Sequence, residues 1–168
     1  MIIFWILAIV VLAFGWVVFR GAPYVPSQNR YIKRALTQLY PLGSKDVLVD
    51  VGSGDGVVLR RAAQLGAQTI GYELNPILVL ISRFLSRTYN SVSVVLADFW
   101  TTSLPDETTV VYAFLVTRDV KKMIAKMQSE ATRLNRPLYF ISYGNVLPGM
   151  TPKKTLDAYG LYRFYPLH

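Results

Sequence analysis

The 168-residue chain is predicted to be an α/β protein. A mostly parallel sheet carries helices on both faces and ends in an antiparallel hairpin, with one transmembrane helix in front. Three observations predict this. Short β-rich runs alternate with helical runs from Asp46 onward. A glycine loop follows the first of those runs and opens a helical one. Residues 2–19 are 18 consecutive positions without a charge, every one apolar or glycine.

Taken in order, that first segment is long enough as a helix to span about 27 Å, close to the hydrocarbon thickness of a bilayer. Trp5 and Trp16 stand near its ends and Arg20 follows it, as interfacial anchors do. Nothing basic precedes Ile2 except the amino terminus, which argues against a cleaved signal peptide. Residues 1–20 are therefore read as a membrane anchor. Arg20, Arg30, Lys33, Arg34 and Lys45 crowd its C-terminal side, so the positive-inside rule puts the main domain in the cytoplasm, on a single-pass protein. Residues 21–42 hold a link with Pro23 and Pro26, then a helix from about Gln28 to Leu39 that Ser27 can cap. Residues 43–168 form the domain. Within it Val47–Val51, Thr69–Tyr72, Ser93–Leu96, Val110–Leu115 and Leu138–Tyr143 read as strands, and segments near 56–65, 76–88 and 118–134 as helices. Lys154 to Tyr165 reads as a hairpin turning at Ala158-Tyr159-Gly160. Pro148-Gly149-Met150-Thr151-Pro152 reads as a loop at a substrate rim.

Composition narrows the chemistry. With no Cys, and His168 the only His, thiolate and multi-histidine metal sites, cysteine nucleophiles and Ser-His-Asp catalysis are set aside. No metal is expected. The net charge of +8 suits an anionic membrane leaflet, and on charge alone also nucleic acid.

The informative stretch runs Asp50-Val51-Gly52-Ser53-Gly54-Asp55-Gly56 between strand and helix. Glycines there let the chain turn sharply and let a ligand approach the backbone. A dinucleotide fingerprint, G-x-G-x-x-G, needs glycine at 57, where Val57 stands. Asp50 ends the first strand. Glu73, in Glu73-Leu74-Asn75-Pro76, ends the second, 17 residues after Gly56, where a carboxylate can accept from two ribose hydroxyls. Asp98-Phe99-Trp100 ends the third; Asp98 can accept from an adenine amino group and Phe99 can cover the ring. One such acid alone is most simply a turn or cap residue. Three, at successive strand ends around a glycine loop, form a site.

These residues resemble those of the class I, seven-β-strand S-adenosylmethionine-dependent methyltransferases, over about Gly43 to Tyr165. The resemblance implies a Rossmann-like sheet and S-adenosyl-L-methionine as cofactor. It implies that Gly52, Ser53, Gly54 and Gly56 surround the methionine portion, with Asp50 near its ammonium. Glu73 with Asn75 falls to the ribose, and Asp98 with Phe99 to the adenine. The sulfonium's positive charge suits a carboxylate-lined pocket better than a pyrophosphate would. The apolar N-terminus, Pro23-Tyr24-Val25-Pro26-Ser27, Asp50 to Gly56, Tyr112-Ala113-Phe114-Leu115 and Leu161-Tyr162-Arg163-Phe164-Tyr165 are together similar to one protein lysine methyltransferase family. Its members act on the adenine nucleotide translocase and on the c-ring protein of ATP synthase, with archaeal relatives. Ile141-Ser142-Tyr143-Gly144-Asn145 departs from its pattern, which has a Phe near that edge.

Phe114-Leu115-Val116-Thr117 lacks the proline motif with which base N-methyltransferases grip an amino group, so nucleic acid is not the expected partner. The implied acceptor is a protein lysine, on a membrane protein by the logic of the anchor, with lipid contacted through the N-terminal helix. Tyr24, Phe99, Trp100 and Tyr143 are candidates for the walls of a lysine channel, although core packing is the simpler role for any one of them. No general base is singled out. A small-molecule or RNA methyltransferase, and a noncatalytic anchored nucleotide-binding module, remain open on the same fold.

Overall fold

The computed structural model describes residues 1, 4, 5 and 29–167. Apart from residues 1, 4 and 5, the expected anchor over 1–20 lies outside the described residues, as do the Ser27 cap and Tyr24. Among the described residues no helix is long and apolar enough to cross a membrane.

A short helix, α1 (Asn29–Arg34), widens into a π-type turn over Ala35–Leu39, closed by Tyr40 N–H donating to the Ala35 carbonyl at 3.0 Å. Its apolar face, Ile32, Ala35, Leu36 and Leu39, is buried, as the spacing predicts. Then follow β1 (Val47–Val51), α2 (Val57–Gln64), β2 (Gln68–Glu73), α3 (Pro76–Ser86), β3 (Val92–Leu96) and β4 (Val110–Phe114). A single 3₁₀ turn over Thr117–Asp119 leads into α4 (Val120–Arg133), and the chain closes through β5 (Leu138–Tyr143), β6 (Lys154–Leu156) and β7 (Tyr159–Phe164). The sheet order is β3-β2-β1-β4-β5-β7-β6; β1 to β5 are parallel, and β7 runs antiparallel to β5 and β6. This is the α/β architecture the alternation predicts. One core, built from α1, α2 and α3, lies on one face of the sheet, and a second, built from α4, lies on the other.

The hairpin needs one correction. Its register pairs Leu156 with Tyr159, so the turn is Asp157-Ala158, with Asp157 in the left-handed region at φ 53°. Gly160 is instead a strand residue. A Cβ there would come within 2.8 Å of the Tyr162 ring, so close packing explains this glycine rather than turning.

A second close approach sits under the loop. A Cβ on Gly71 of β2 would fall 2.5 Å from Ser53 Oγ and 2.6 Å from Leu59 Cδ1. Gly71→Ala is expected to overpack this junction and lower stability by about 1–3 kcal/mol. Urea unfolding at unchanged m-value is the measurement, and a change below about 0.5 kcal/mol would show that Ser53 moves away freely.

Candidate active site

The strand order reverses direction of growth at β1, with β2 on one side and β4 on the other. A crevice opens at that switch point, at the carboxyl ends of the strands, where open α/β sheets bind their ligands. It encloses about 1120 Å³, counting its open mouth. Asp50, Glu73 and Asp98, from three successive strand ends, all line it, as do Gly52, Ser53, Gly54, Phe99 and Trp100.

The loop owes its shape to its glycines. Gly52, Gly54 and Gly56 have φ of 72°, 54° and 81°, backbone that side chains other than glycine rarely adopt. Gly52 N–H and Ser53 N–H both donate to the Tyr72 carbonyl, at 2.9 and 3.1 Å, which pins the loop onto the end of β2. Glu73 does the rest: Oε2 accepts from Gly54 N–H and Oε1 from Asn75 N–H, each at 2.8 Å. That carboxylate is buried, and it ties the glycine loop to the turn that opens α3.

Asp50 is different. It is 3% exposed and has no hydrogen-bond partner among the described residues. Burial, then the nearby Glu73 and Asp55 carboxylates, push its carboxyl well above the usual range. Ser53 Oγ is likewise buried without a partner. An acceptor this enclosed, and unpaired among the described residues, is suited to a positively charged donor from outside. Asp55 and Asp119 also line the crevice, and among the described residues no Lys, Arg or His does. Asp55 and Asp119 are paired with Arg60 and Arg118, at 3.5 and 3.6 Å, whereas Asp50, Glu73 and Asp98 have no ion pair among the described residues. The cavity therefore disfavours a pyrophosphate and favours a cation.

Asp98 Oδ1 accepts from Trp100 N–H at 2.9 Å, which folds the strand end back and brings Trp100 to the rim. Phe99 is buried and meets Trp100 edge-on, centroids 5.3 Å apart. From α4, Lys122 Nζ sits 4.3 Å above the Trp100 ring and Lys126 Nζ lies 5.7 Å from the Phe99 centroid. The indole face is thus one on which a lysine ammonium already rests in this fold. The crossover between β3 and β4, which carries these rings, is held from behind by α4. Glu130 Oε2 accepts from Leu104 N–H, Arg133 donates to the Leu104 carbonyl, and Lys126 donates to the Thr102 carbonyl. Burial alone would raise the Glu130 carboxyl, but its bonds from Lys126 and Arg133 outweigh that and hold it below the usual range.

Three of the expected residues stand elsewhere. Asn75 is fully buried and caps α3, its Oδ1 accepting from Ile77 and Leu78 N–H at 2.9 and 3.4 Å, and it does not line the crevice. Gly56 ends the loop at the start of α2, outside the lining. Tyr143 is stacked on Tyr159 at 4.6 Å and packs on Phe114 at 5.4 Å; Phe114 lines the crevice and Tyr143 does not. The loop of residues 148–152 is also outside the lining. Conversely, Phe114, Asp119 and Met123 line the wall, and sequence reasoning misses all three as site residues. Their signal is position: Phe114 ends the strand that neighbours β1, and Asp119 and Met123 open the helix after it.

The comparisons with known proteins agree with this geometry. The family model of the ANTKMT methyltransferase domain matches residues 50–154, more than half of the chain. The chain is 35% identical over 111 residues to the lysine N-methyltransferase of Xenopus laevis that is named for the ATP synthase C protein, covering 64% of this chain and 48% of that one. It is 37% identical over 112 residues to the adenine nucleotide translocase lysine N-methyltransferase of Mus musculus, with the same two coverages of 64% and 48%. It thus spans about half the length of the curated relatives it matches. Among solved structures, an RNA methyltransferase from Salinibacter ruber in complex with S-adenosyl-L-homocysteine superposes with a TM-score of 0.71 at 26% identity, covering 86% of this chain and 95% of that one. A methyltransferase domain and a neighbour holding the demethylated cofactor both support S-adenosylmethionine as the cofactor here. By sequence along most of the α/β domain, and by a crevice whose anions await a cation, the chain belongs to the ANTKMT methyltransferase domain family.

Proposed function

We propose that the chain is a membrane-anchored, S-adenosylmethionine-dependent N-methyltransferase that methylates lysine on a protein, a membrane protein being the natural target. Residues 1–20 are the single transmembrane anchor, 21–42 the link and first helix, and 43–168 the catalytic domain on the cytoplasmic side. The observation that carries the reading is the cation-seeking crevice at the β1 switch point, lined by Asp50, Glu73 and Asp98. The named activity of the Xenopus and mouse relatives supports lysine as acceptor.

When bound, S-adenosylmethionine supplies a methyl group activated by its sulfonium. Asp50 is assigned to hold its ammonium, and Glu73, with lone pairs beyond the two already used, to accept from the ribose. Gly52, Ser53 and Gly54 form the floor on which the methionine portion lies. Asp98 accepts from the adenine amino group, with Phe99 against the ring. Trp100, with Phe114 and Met123 nearby, forms the apolar side of the crevice. An acceptor lysine has to arrive there neutral, at a cost of roughly 4–5 kcal/mol at pH 7 from its ordinary pKa. Desolvation against those side chains lowers that cost, and holding the amine in line with the methyl supplies much of the rate.

The test is transfer of radiolabelled methyl by the full chain, in lipid, to a membrane fraction, followed by mass spectrometry of the labelled material. Label on lysine is expected. Gly54→Arg, which forces a long side chain onto backbone at φ 54° on the floor of the crevice, is expected to cut transfer at least about 100-fold. Label recovered in RNA, the substrate class of the Salinibacter protein, or in lipid would overturn the lysine assignment. Cofactor binding with no transfer to any fraction would leave a noncatalytic binding module.

A further inference from the structure

Six large apolar side chains lie open at one edge of the sheet, away from the crevice lining. On α3, Leu80, Ile81, Phe84 and Leu85 are 65%, 41%, 64% and 41% exposed, and on β3 Val95 and Leu96 are 37% and 55% exposed. β3 is an edge strand, and the crossover that follows it runs to β4 without a helix. α3 turns Leu78 and Val79 inward and these four residues outward, so it is apolar on both sides. A helix of that kind is normally covered.

Charge says by what. α1, α2 and α3, packed on one sheet face, carry Arg30, Lys33, Arg34, Arg60, Arg61 and Arg83 and no acid, Arg34 and Arg60 being paired with Asp157 and Asp55 from outside these helices. Between Glu73 and Asp98 the only charged residues are Arg83 and Arg87. Arg83 donates from Nε and Nη2 to the Val94 carbonyl of the edge strand, at 3.0 and 2.7 Å. That carbonyl is therefore taken, which blunts the edge for pairing with another strand. The Arg87 guanidinium lies 4.3 Å over the exposed Phe84 ring. Exposed aromatic and aliphatic side chains with arginines among them are the composition of an interfacial helix on anionic lipid.

Connectivity points the same way. Asn29, the first residue of α1, stands ten positions after Phe19, the last of the apolar residues 2–19. Arg61 Nε donates to Asn29 Oδ1 at 3.1 Å, Arg61 Nη1 to Gln64 Oε1 at 2.8 Å, and Gln64 Nε2 to the Tyr89 hydroxyl at 2.8 Å. Tyr89 stands just past the end of α3, so this relay places the start of α1 and the end of α3 on one side of the molecule.

We propose that the outward face of α3 and the adjoining edge of β3 form a membrane-docking surface for anionic phospholipid. Leu80, Phe84 and Leu96 enter the interface, and Arg83 and Arg87 meet the headgroups with the donors they have left. Ala97 and Asp98, which follow Leu96, line the crevice, so docking sets its mouth beside the bilayer. This rests on the reading of the chain as a membrane-anchored protein and adds a defined orientation to it.

The chain has no cysteine, so single cysteines can be labelled cleanly. Nitroxide is attached to Phe84→Cys, to Leu80→Cys and, on the opposite sheet face, to Ser129→Cys, in the full chain in nanodiscs. The discs are phosphatidylcholine alone or phosphatidylcholine with phosphatidylserine. At positions 84 and 80, the phosphatidylserine discs are expected to raise collision with oxygen and suppress collision with a soluble nickel chelate, several-fold in their ratio. Position 129 should not change. Nickel collisions as free at 80 and 84 as at 129 would overturn the proposal. So would loss of collisions with both reagents, the mark of protein cover by a second copy or by residues 2–28. Methyl transfer is measured separately. A label in water on a chain that still methylates lysine removes the docking face alone, whereas a docked chain without transfer removes the enzymatic reading alone.

Discussion

Replacing Asp50 by Asn is expected to weaken S-adenosylmethionine binding by about 30-fold or more while making the ligand-free protein more stable. The two effects have one cause. Asp50 is buried at the end of β1, has no partner among the described residues, and is pushed upward by burial, then by Glu73 and Asp55. Pairing such a group with a cation from outside is worth several kcal/mol, and removing its charge forfeits that. In the ligand-free protein the same raised pKa means that the folded state holds the proton longer than the unfolded chain. The stability Asp50 contributes is then full below its unfolded value, near 3.9, and is lost as pH rises through its folded value. Asparagine has nothing to lose. The variant should therefore melt above the parent at neutral pH and together with it at acid pH. Cofactor binding should follow the same titration from the other side. For the parent, affinity rises with pH above the ordinary carboxylate range, with proton release visible as a buffer-dependent heat in calorimetry. For the variant, both should vanish. Equal melting at neutral pH, with unchanged affinity, would place Asp50 outside the cofactor's reach.

Much of this crevice is legible in the sequence because its parts are punctuated. β1 and β5 fall where the sequence places them, one running into Gly52 and the other into Gly144, both in the left-handed region. The acids at positions 50, 73 and 98 converge because parallel strands bring all their carboxyl ends to one edge of the sheet, each acid standing two positions further along than the register partner of the one before. That is a property of chain order alone. What chain order does not reveal is the neighbour across the switch point. Phe114 reaches the crevice only because β4 pairs with β1, and nothing local says that the fourth strand returns to the first. Asn75 departs from expectation for the opposite reason. A residue before proline at a helix start is itself a cap signal, and its side chain is spent on Ile77 and Leu78. The hairpin turn differs from expectation because Gly160, a turn former by residue type, serves here to admit the Tyr162 ring.

Glu73→Gln removes the same unit of charge from the same crevice, and its effect on stability is expected to have the opposite sign. Glu73 presents two equivalent acceptors to two backbone donors, Gly54 N–H and Asn75 N–H, both at 2.8 Å. An amide has one acceptor and one donor group, so in either orientation its NH₂ faces a backbone N–H. Leaving a buried donor unsatisfied costs about 1–3 kcal/mol, and bonds to a charged acceptor sit at the upper end. Stability should fall accordingly at neutral pH. The glycine loop loses its tie to the start of α3 at the same time. Cofactor affinity should drop roughly 10- to 100-fold, partly through the ribose and partly through a loop no longer held in place. Hydrogen exchange separates the two contributions, since the Gly54 amide is expected to lose protection in the ligand-free variant. If Glu73→Gln and Asp50→Asn shifted the melting temperature in the same direction, the distinction between a satisfied and an unsatisfied carboxylate would be wrong. The two anions would then be interchangeable parts of a diffuse negative field. Opposite shifts would mean that one acid builds the crevice and the other waits for its cation.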